Sequence, residues 1–227
     1  ILRLSVFYER KWGCFKMKMI RDLVHGYIMI DEFVESIINT DNFQRLRDIR
    51  QLTAQHVFPS ATHNRFEHSL GVMYLSKKAF SSLRPTMLEQ GISDENFSSL
   101  ILHLETAALL HDVGHAPFSH LGEKYFQNKH KLSQYAKELV TTKKLLIDHS
   151  IFEYGSKHEL MSCIVIISKY HEIIQSGFSG KPVSLDLELI CRCILGAPYM
   201  DYKVPGNIAI SLLNSSTIDA DKLDYLM

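Results

Sequence analysis

The chain carries no excess charge of either sign, with 25 Lys and Arg against 25 Asp and Glu in 227 residues. That balance argues against broad, nonspecific nucleic-acid binding, and leaves room for a local basic pocket that holds a phosphate. Cysteine is scarce: Cys14, Cys163, Cys191 and Cys193 lack zinc-site spacing. The lone Cys191-x-Cys193 pair reads better as reduced, buried thiols of a cytosolic protein than as a structural metal site. No apolar run approaches the roughly 18 residues of a membrane span. Ile1 to Lys18 alternate apolar and basic residues but lack the continuous apolar core and cleavage site of a secretory signal. Internal repeats and low-complexity tracts are missing as well. What is left is an ordinary globular composition, 46% hydrophobic and 22% charged, and the expected location is cytoplasmic.

Strand signals are also few, limited to Tyr27-Ile28-Met29-Ile30. Helical signals dominate instead. Asp31 to Thr40 and Asn42 to Gln51 read as short helices opening on Asp31 and Asp41. The second is dense in Arg45, Arg47 and Arg50, which suits either a solvated basic face or anion binding. Val57 to Thr62 reads as a loop. Asn64 to Leu83 has the apolar spacing of a long amphipathic helix, through Phe66, Leu70, Met73 and Leu75. Arg84 to Ile92 reads as a turn region, and Ser93 as the cap of a helix running to Asp112. The stretch between His120 and Ser156 is polar and mixed, as in a surface insertion. Ser156 and Glu159 form a capping box for a helix through Tyr170, and Ser184 to Leu195 is another helix. The fold class is therefore all-α, a helical bundle with irregular loops and at most a minor β-hairpin.

Chemistry concentrates in His111-Asp112-Val113-Gly114-His115-Ala116-Pro117-Phe118-Ser119-His120, which holds three His and one Asp directly behind the apolar run Leu100 to Leu110. Buried and unpaired, such groups would each cost several kcal/mol. A metal ion, or an anionic substrate beside one, would satisfy them together. Imidazole with carboxylate suits Mn, Fe, Zn, Ni or Co better than Ca. His111 and Asp112 supply only two ligands. His68 lies one turn after Arg65 at the start of the long helix, so both can face one interior site. Asp219 and Asp221, near the chain end, offer a further carboxylate.

The ordered pattern His68, His111-Asp112 and a late Asp221 resembles the H…HD…D signature of the HD superfamily of metal-dependent phosphohydrolases. Asp22-Leu23-Val24-His25-Gly26, Phe43 to Arg47, Phe58-Pro59, His63 to Gly71, His111 to His120 and Asp219 to Tyr225 extend the likeness to the deoxynucleoside triphosphate triphosphohydrolase branch. The matches run from Lys18 to Met227. The resemblance implies an HD domain over residues 18–227, cut short at its C-terminal end, with residues 1–17 as an extension of it. It implies a divalent transition metal on His68, His111, Asp112 and Asp221, with Mg accompanying the nucleotide. His115 and His158 match the family's catalytic histidines, with Glu123 as their acidic partner. Gln51, Leu52, Arg65, His120, Lys222 and Tyr225 match substrate-contacting positions.

Lys18, Asn39, Gln44 and Arg47 match places where some members bind an activating nucleotide at a subunit interface. Asn39 stands where guanine-reading members have Asp. Thr53-Ala54-Gln55-His56 replaces expected glycines in a loop one residue shorter. The expected reaction is cleavage of a dNTP to a deoxynucleoside and inorganic triphosphate, by a homo-oligomer without membrane attachment. Two alternatives stay open. One is an HD phosphohydrolase of nucleoside monophosphates, cyclic nucleotides or guanosine tetraphosphate. The other is a catalytically silent nucleotide- or nucleic-acid-binding module.

Overall fold

Alternating basic and apolar residues from Lys16 to Met19 give an extended segment two unlike faces, and the structure begins with strands. It is a computed structural model that describes residues 5–10, 13–52, 57, 62–176 and 185–226. Strands β1 (Ser5–Arg10), β2 (Gly13–Asp22) and β3 (Gly26–Ile30) form one antiparallel sheet in the order β1-β2-β3. Lys18 pairs with Ser5 on one side and Ile30 on the other, so a boundary between residues 17 and 18 falls inside β2. The sheet is larger than a hairpin. From Glu32 onward the regular elements are helical, in keeping with an all-α bundle.

Helix α1 (Glu32–Ile38) opens on Asp31, whose carboxylate accepts the Val34 N–H at 3.0 Å. Helix α2 (Asp41–Gln44) continues as a 3₁₀ turn over Arg45–Asp48. Its cap is Thr40 rather than Asp41. Thr40 has the extended backbone (φ −74°, ψ 146°) that aims its hydroxyl at the Phe43 N–H, whereas Asp41 is already helical. The helix expected to reach Gln51 stops at Asp48, because Ile49 is extended and Arg50 pairs with Asn64 in a bridge.

Helix α3 (Arg65–Ser82) carries a full capping box. Asn64 accepts the Glu67 N–H at 3.0 Å and Glu67 accepts the Asn64 N–H at 3.1 Å. The segment read as a turn is in part a helix, α4 (Arg84–Glu89), with Pro85 in the first turn where its missing N–H costs nothing. Helix α5 (Asp94–Leu110) opens on Ser93, which accepts the Asn96 N–H. It packs on α3 to form the centre of the bundle, with Val72, Leu104, Ala107, Ala108, Leu109 and Leu110 fully buried.

The stretch read as a surface insertion is exposed along much of its length but also sends one apolar face into the core. A 3₁₀ turn over Ser119–Tyr125 leads to α6 (Lys129–Thr142), whose Leu132, Ala136 and Val140 repeat every fourth residue and are buried. Ile151 and Phe152, in a second 3₁₀ turn, are fully buried too. Helix α7 (Lys157–Val165) has Glu159 accepting the Ser156 N–H. It passes through a π turn over Ile166–Tyr170 into α8 (His171–Ser176). Tyr170 is fully buried, and its hydroxyl meets the Thr40 hydroxyl at 2.7 Å, tying the π turn to the start of α2.

Helices α9 (Leu187–Leu195, capped by Asp186), α10 (Gly206–Leu213) and α11 (Ala220–Leu226) complete the chain. Cys163, Cys191 and Cys193 are free and buried, and burial pushes the Cys163 and Cys193 thiols up. Among the described residues no helix is long and apolar enough to cross a membrane.

Candidate metal centre and adjoining histidine cluster

Three elements converge on one interior point. Helix α3 brings His68 in its first turn, the end of α5 brings His111 and Asp112, and α11 brings Asp221 from the other end of the chain. Donor atoms of His68, His111 and Asp112 all lie within 4.8 Å of one another. His68 Nε2 is 2.8 Å from Asp221 Oδ1 and 3.9 Å from Asp112 Oδ2. His111 Nε2 is 3.5 Å from Asp112 Oδ1 and 3.7 Å from Asp221 Oδ1. Donors around an ion bound at about 2.0–2.2 Å sit roughly 3–4 Å apart, so this set fits one divalent ion. His111 adds a second sign. Its Nδ1 donates to the Ala108 carbonyl at 2.7 Å, while its buried Nε2 has no hydrogen bond among the described residues. A buried acceptor left bare and aimed at carboxylates is what an ion-binding nitrogen looks like.

The choice between Asp219 and Asp221 is resolved by capping. Asp219 is buried and accepts from the Ser215 and Lys222 N–H groups and from Lys222 Nζ, so it is committed to starting α11. Of the two, Asp221 is the one that reaches His68 and His111.

Beside this point stands a second group, His115, His120, Glu123 and His158, whose donor atoms also lie within 4.8 Å of one another. The His115 and His158 rings stack at 4.3 Å between centroids, 20° from parallel. Glu123 joins His120 Nδ1 at 2.6 Å and His158 Nδ1 at 3.1 Å. His115 Nε2 lies 3.2 Å from Asp112 Oδ1, which links the two groups. Gly114 makes the close approach possible. A Cβ there would lie 2.1 Å from the Ser162 backbone nitrogen, so only glycine lets the loop rest on α7, which carries His158.

Comparison with known proteins agrees with this geometry. A model of the HD domain matches residues 65–192. The chain belongs to the HD-domain family. It is 38% identical over 213 residues to the zebrafish (Danio rerio) deoxynucleoside triphosphate triphosphohydrolase SAMHD1, covering 92% of this chain and 32% of that protein. The SAMHD1 homolog of Dictyostelium discoideum is 30% identical over 213 residues, with 92% and 35% covered. Both relatives carry the name of a deoxynucleoside triphosphate triphosphohydrolase. The chain spans about a third of the length of these relatives. A solved structure of a hypothetical protein from Aquifex aeolicus matches with a TM-score of 0.61 at 27% identity, covering 92% of this chain and 45% of that one.

The electrostatics of the HD site follow from crowding unlike charges where His68, His111 and Asp112 are buried and Asp221 is half-exposed. Burial alone would push Asp112 up, but His111, Arg65 and His115 hold its carboxyl well below the usual range. Asp221 is also held down, with His111 and His68 overriding its burial. Burial works against the His68 cation too, yet hydrogen bonds to Asp221 and Asp224 raise it to about 9. His111 is raised as well, by Asp112 and Asp221 against burial. His115 goes the other way. Burial, with Arg65 and His158 nearby, pushes it down to about 4 although Asp112 opposes this.

The remaining residues singled out in the sequence fall in several places. Arg65 is buried and gives its guanidinium to Asp112 and Ser119. His120 is exposed at the mouth of the cluster, and Gln51 and Leu52 are half-buried. Tyr225 is exposed, and Lys222 bonds Asp219 and the Ser215 carbonyl. Lys18 pairs with Glu35, and exposed Asn39 ends α1. Gln44 donates to the Ile38 carbonyl and accepts from Arg47, which also lies 3.5 Å over the Phe66 ring. The replaced glycine positions 53–56 lie outside the described residues.

Sequence reasoning gave no role to His25, Gly71 or Asp224, and it read Arg45 as part of a solvated basic face or an anion site. Arg45 is no solvated charge. It turns inward and donates to the Val113 and His115 carbonyls at 2.5 and 2.8 Å, clamping the loop that bears the HD pair. Asp224 reaches His68, and a signal for it was present: it lies three residues after Asp221, on the same helix face.

Proposed function

We propose that this chain forms the catalytic site of a metal-dependent hydrolase that converts a dNTP and water to a deoxynucleoside and inorganic triphosphate. The observation that carries the proposal is the pairing of two groups through one contact. His68, His111, Asp112 and Asp221 form a donor set for an ion, and His115 joins it, by 3.2 Å to Asp112, to a histidine–carboxylate cluster suited to proton transfer. The names of the relatives point to the same reaction.

In this reading His68, His111, Asp112 and Asp221 hold one divalent transition metal such as Mn, Fe, Zn, Ni or Co, and Mg accompanies the nucleotide. When bound, such an ion supplies Lewis-acid polarisation of a phosphoryl oxygen and a lower pKa for a coordinated water. The residues of the chain do the rest. Water adds to the α-phosphorus, the bond to the 5′-oxygen breaks, and that oxygen takes a proton. His158 is the acid that delivers it, with Glu123 at 3.1 Å orienting the ring and supporting its charge. His115 supports His158 from below by stacking. Arg65 fixes Asp112, while His120, Lys222 and Tyr225 stand where they meet the triphosphate and Gln51 and Leu52 meet the sugar.

The enzyme works as a homo-oligomer whose interface takes an activating nucleotide on Lys18, Asn39, Gln44 and Arg47. Sedimentation with and without dNTPs tests this, and a strict monomer in both would oppose it. The activity itself is tested by incubating the protein with each dNTP and Mn²⁺. Triphosphate release that disappears in His111→Ala/Asp112→Ala, with the helical fold retained, is the expected result. Release of pyrophosphate or orthophosphate instead would favour a different HD phosphohydrolase.

A further inference from the structure

The turn between β2 and β3 is arranged against simple burial. Asp22 Oδ1 accepts the N–H groups of Val24 and His25, each at 2.8 Å, and Gly26 adopts φ +77° to reverse the chain. The result leaves Leu23 97% exposed while the polar His25 side chain is only 4% exposed. Burial by hydrophobicity alone would give the opposite. The partner that draws His25 inward is Asp224, with His25 Nε2 at 2.6 Å from Oδ1. The other oxygen, Oδ2, is 2.7 Å from His68 Nδ1. Both oxygens of a carboxylate that is 11% exposed are thus used, each on one imidazole.

Two further features fit the same point. Asp221 and Asp224 of α11 take the two ring nitrogens of His68, Nε2 and Nδ1 respectively. Gly71, one turn after His68, leaves the space for the linkage. A Cβ there would lie 2.0 Å from Asp224 Oδ1 and 2.8 Å from His25 Nε2. A latch between a turn and a helix has no need to end on a nitrogen of the proposed ion-binding histidine.

We propose that Asp224, held in place by His25, is the positioning carboxylate of the metal centre: it accepts the Nδ1–H of His68 and so fixes the ring with its Nε2 lone pair toward His111, Asp112 and Asp221. This rests on the metal-centre reading above. A carboxylate on the far nitrogen of a ligating histidine sets its tautomer and ring angle and increases its basicity. His25 gives the carboxylate a second donor, which stops it from turning toward solvent or toward the ion itself. The turn carrying His25 and the helix carrying Asp224 are 199 residues apart in sequence, so the centre is complete only when the two ends of the chain meet on α3.

The test uses Co²⁺ alone as the probe, read by its d–d absorption and by its dissociation constant, with thermal unfolding of the metal-free protein in parallel. The wild-type protein binds Co²⁺. Asp224→Asn binds it about 10–100-fold more weakly, with shifted absorption bands, while still unfolding cooperatively. His25→Leu weakens binding in the same direction, and His25→Gln, which keeps a donor, recovers part of the loss. Gly71→Ala, which pushes on the same bond, also weakens binding and serves where Asp224→Asn fails to fold. Equal affinity and an unchanged spectrum in Asp224→Asn, or in Gly71→Ala should the first not fold, would reduce Asp224 to a structural latch. A wild-type protein that binds no Co²⁺ would instead overturn the metal-centre reading, and this inference with it.

Discussion

His115 and His158 stack face to face, with ring centroids 4.3 Å apart, and they come from opposite sides of the cluster, one from the loop after α5 and one from the first turn of α7. In the proposed mechanism the pair separates two duties. His115 reaches Asp112 and the donor set, and His158 reaches Glu123 and the open side.

That separation makes the first prediction. His158→Ala lowers kcat by about 10²–10⁴-fold and leaves bound metal unchanged, because no proposed ligand contacts it. His68→Ala loses metal and activity together. Metal analysis beside steady-state kinetics checks both, and near-wild-type turnover in His158→Ala would move the acid role to His115 or His120.

Arg45 supports a second prediction. Its fork spans the carbonyls of Val113 and His115, and removing it leaves buried acceptors without donors. Arg45→Met is expected to cost roughly 1–3 kcal/mol of stability and to lower kcat. Arg45→Lys restores little, since one ammonium does not reproduce the planar fork. Urea unfolding of the two variants measures this, and full stability in Arg45→Lys would contradict it.

The third prediction concerns pH. His103 is buried, its Nδ1 donating to the Ser99 carbonyl and its Nε2 accepting the Asp186 N–H at 2.7 Å, so it is held neutral. Burial lowers its pKa, outweighing the opposite pull of the Ser99 bond and of Asp186. A depressed folded pKa means that the unfolded chain binds the proton first. The stabilisation is therefore complete above the unfolded value of about 6.5 and is lost as pH falls toward the folded one. His115, pushed down to about 4, acts with the same sign. The difference between wild type and His103→Gln isolates His103. The urea midpoint of the variant should fall less between pH 7 and pH 5, and parallel curves would refute the assignment.

Local rules made much of this molecule readable in advance. Asp31, Asn64, Ser93 and Ser156 each mark a helix start because a cap is a matter of a few neighbouring atoms. The candidate donor residues stood out for another reason: an HD pair behind an apolar helix has few structural uses. What was missed depends on distant partners or on competing local signals. Lys129 to Thr142 looks polar, and its Leu132, Ala136 and Val140 stripe gains meaning only against α7. Arg84 to Glu89 was obscured by Pro85, which breaks a helix interior but suits a first turn. Lys16 to Met19 alternates as a strand should, and pairing with β1 and β3 is what makes it one. Asp224 carried a signal in its spacing from Asp221, but its link to His25 is one that no spacing rule brings.

The most direct test of the account follows the oxygen of the attacking water. The protein is given a dNTP and Mn²⁺ in ¹⁸O-labelled water, and the products are read by ³¹P NMR and mass spectrometry. Attack at the α-phosphorus with loss of the 5′-oxygen predicts unlabelled deoxynucleoside and inorganic triphosphate carrying one ¹⁸O on a terminal phosphorus. Deoxynucleoside monophosphate with pyrophosphate, or label in the nucleoside, would contradict it.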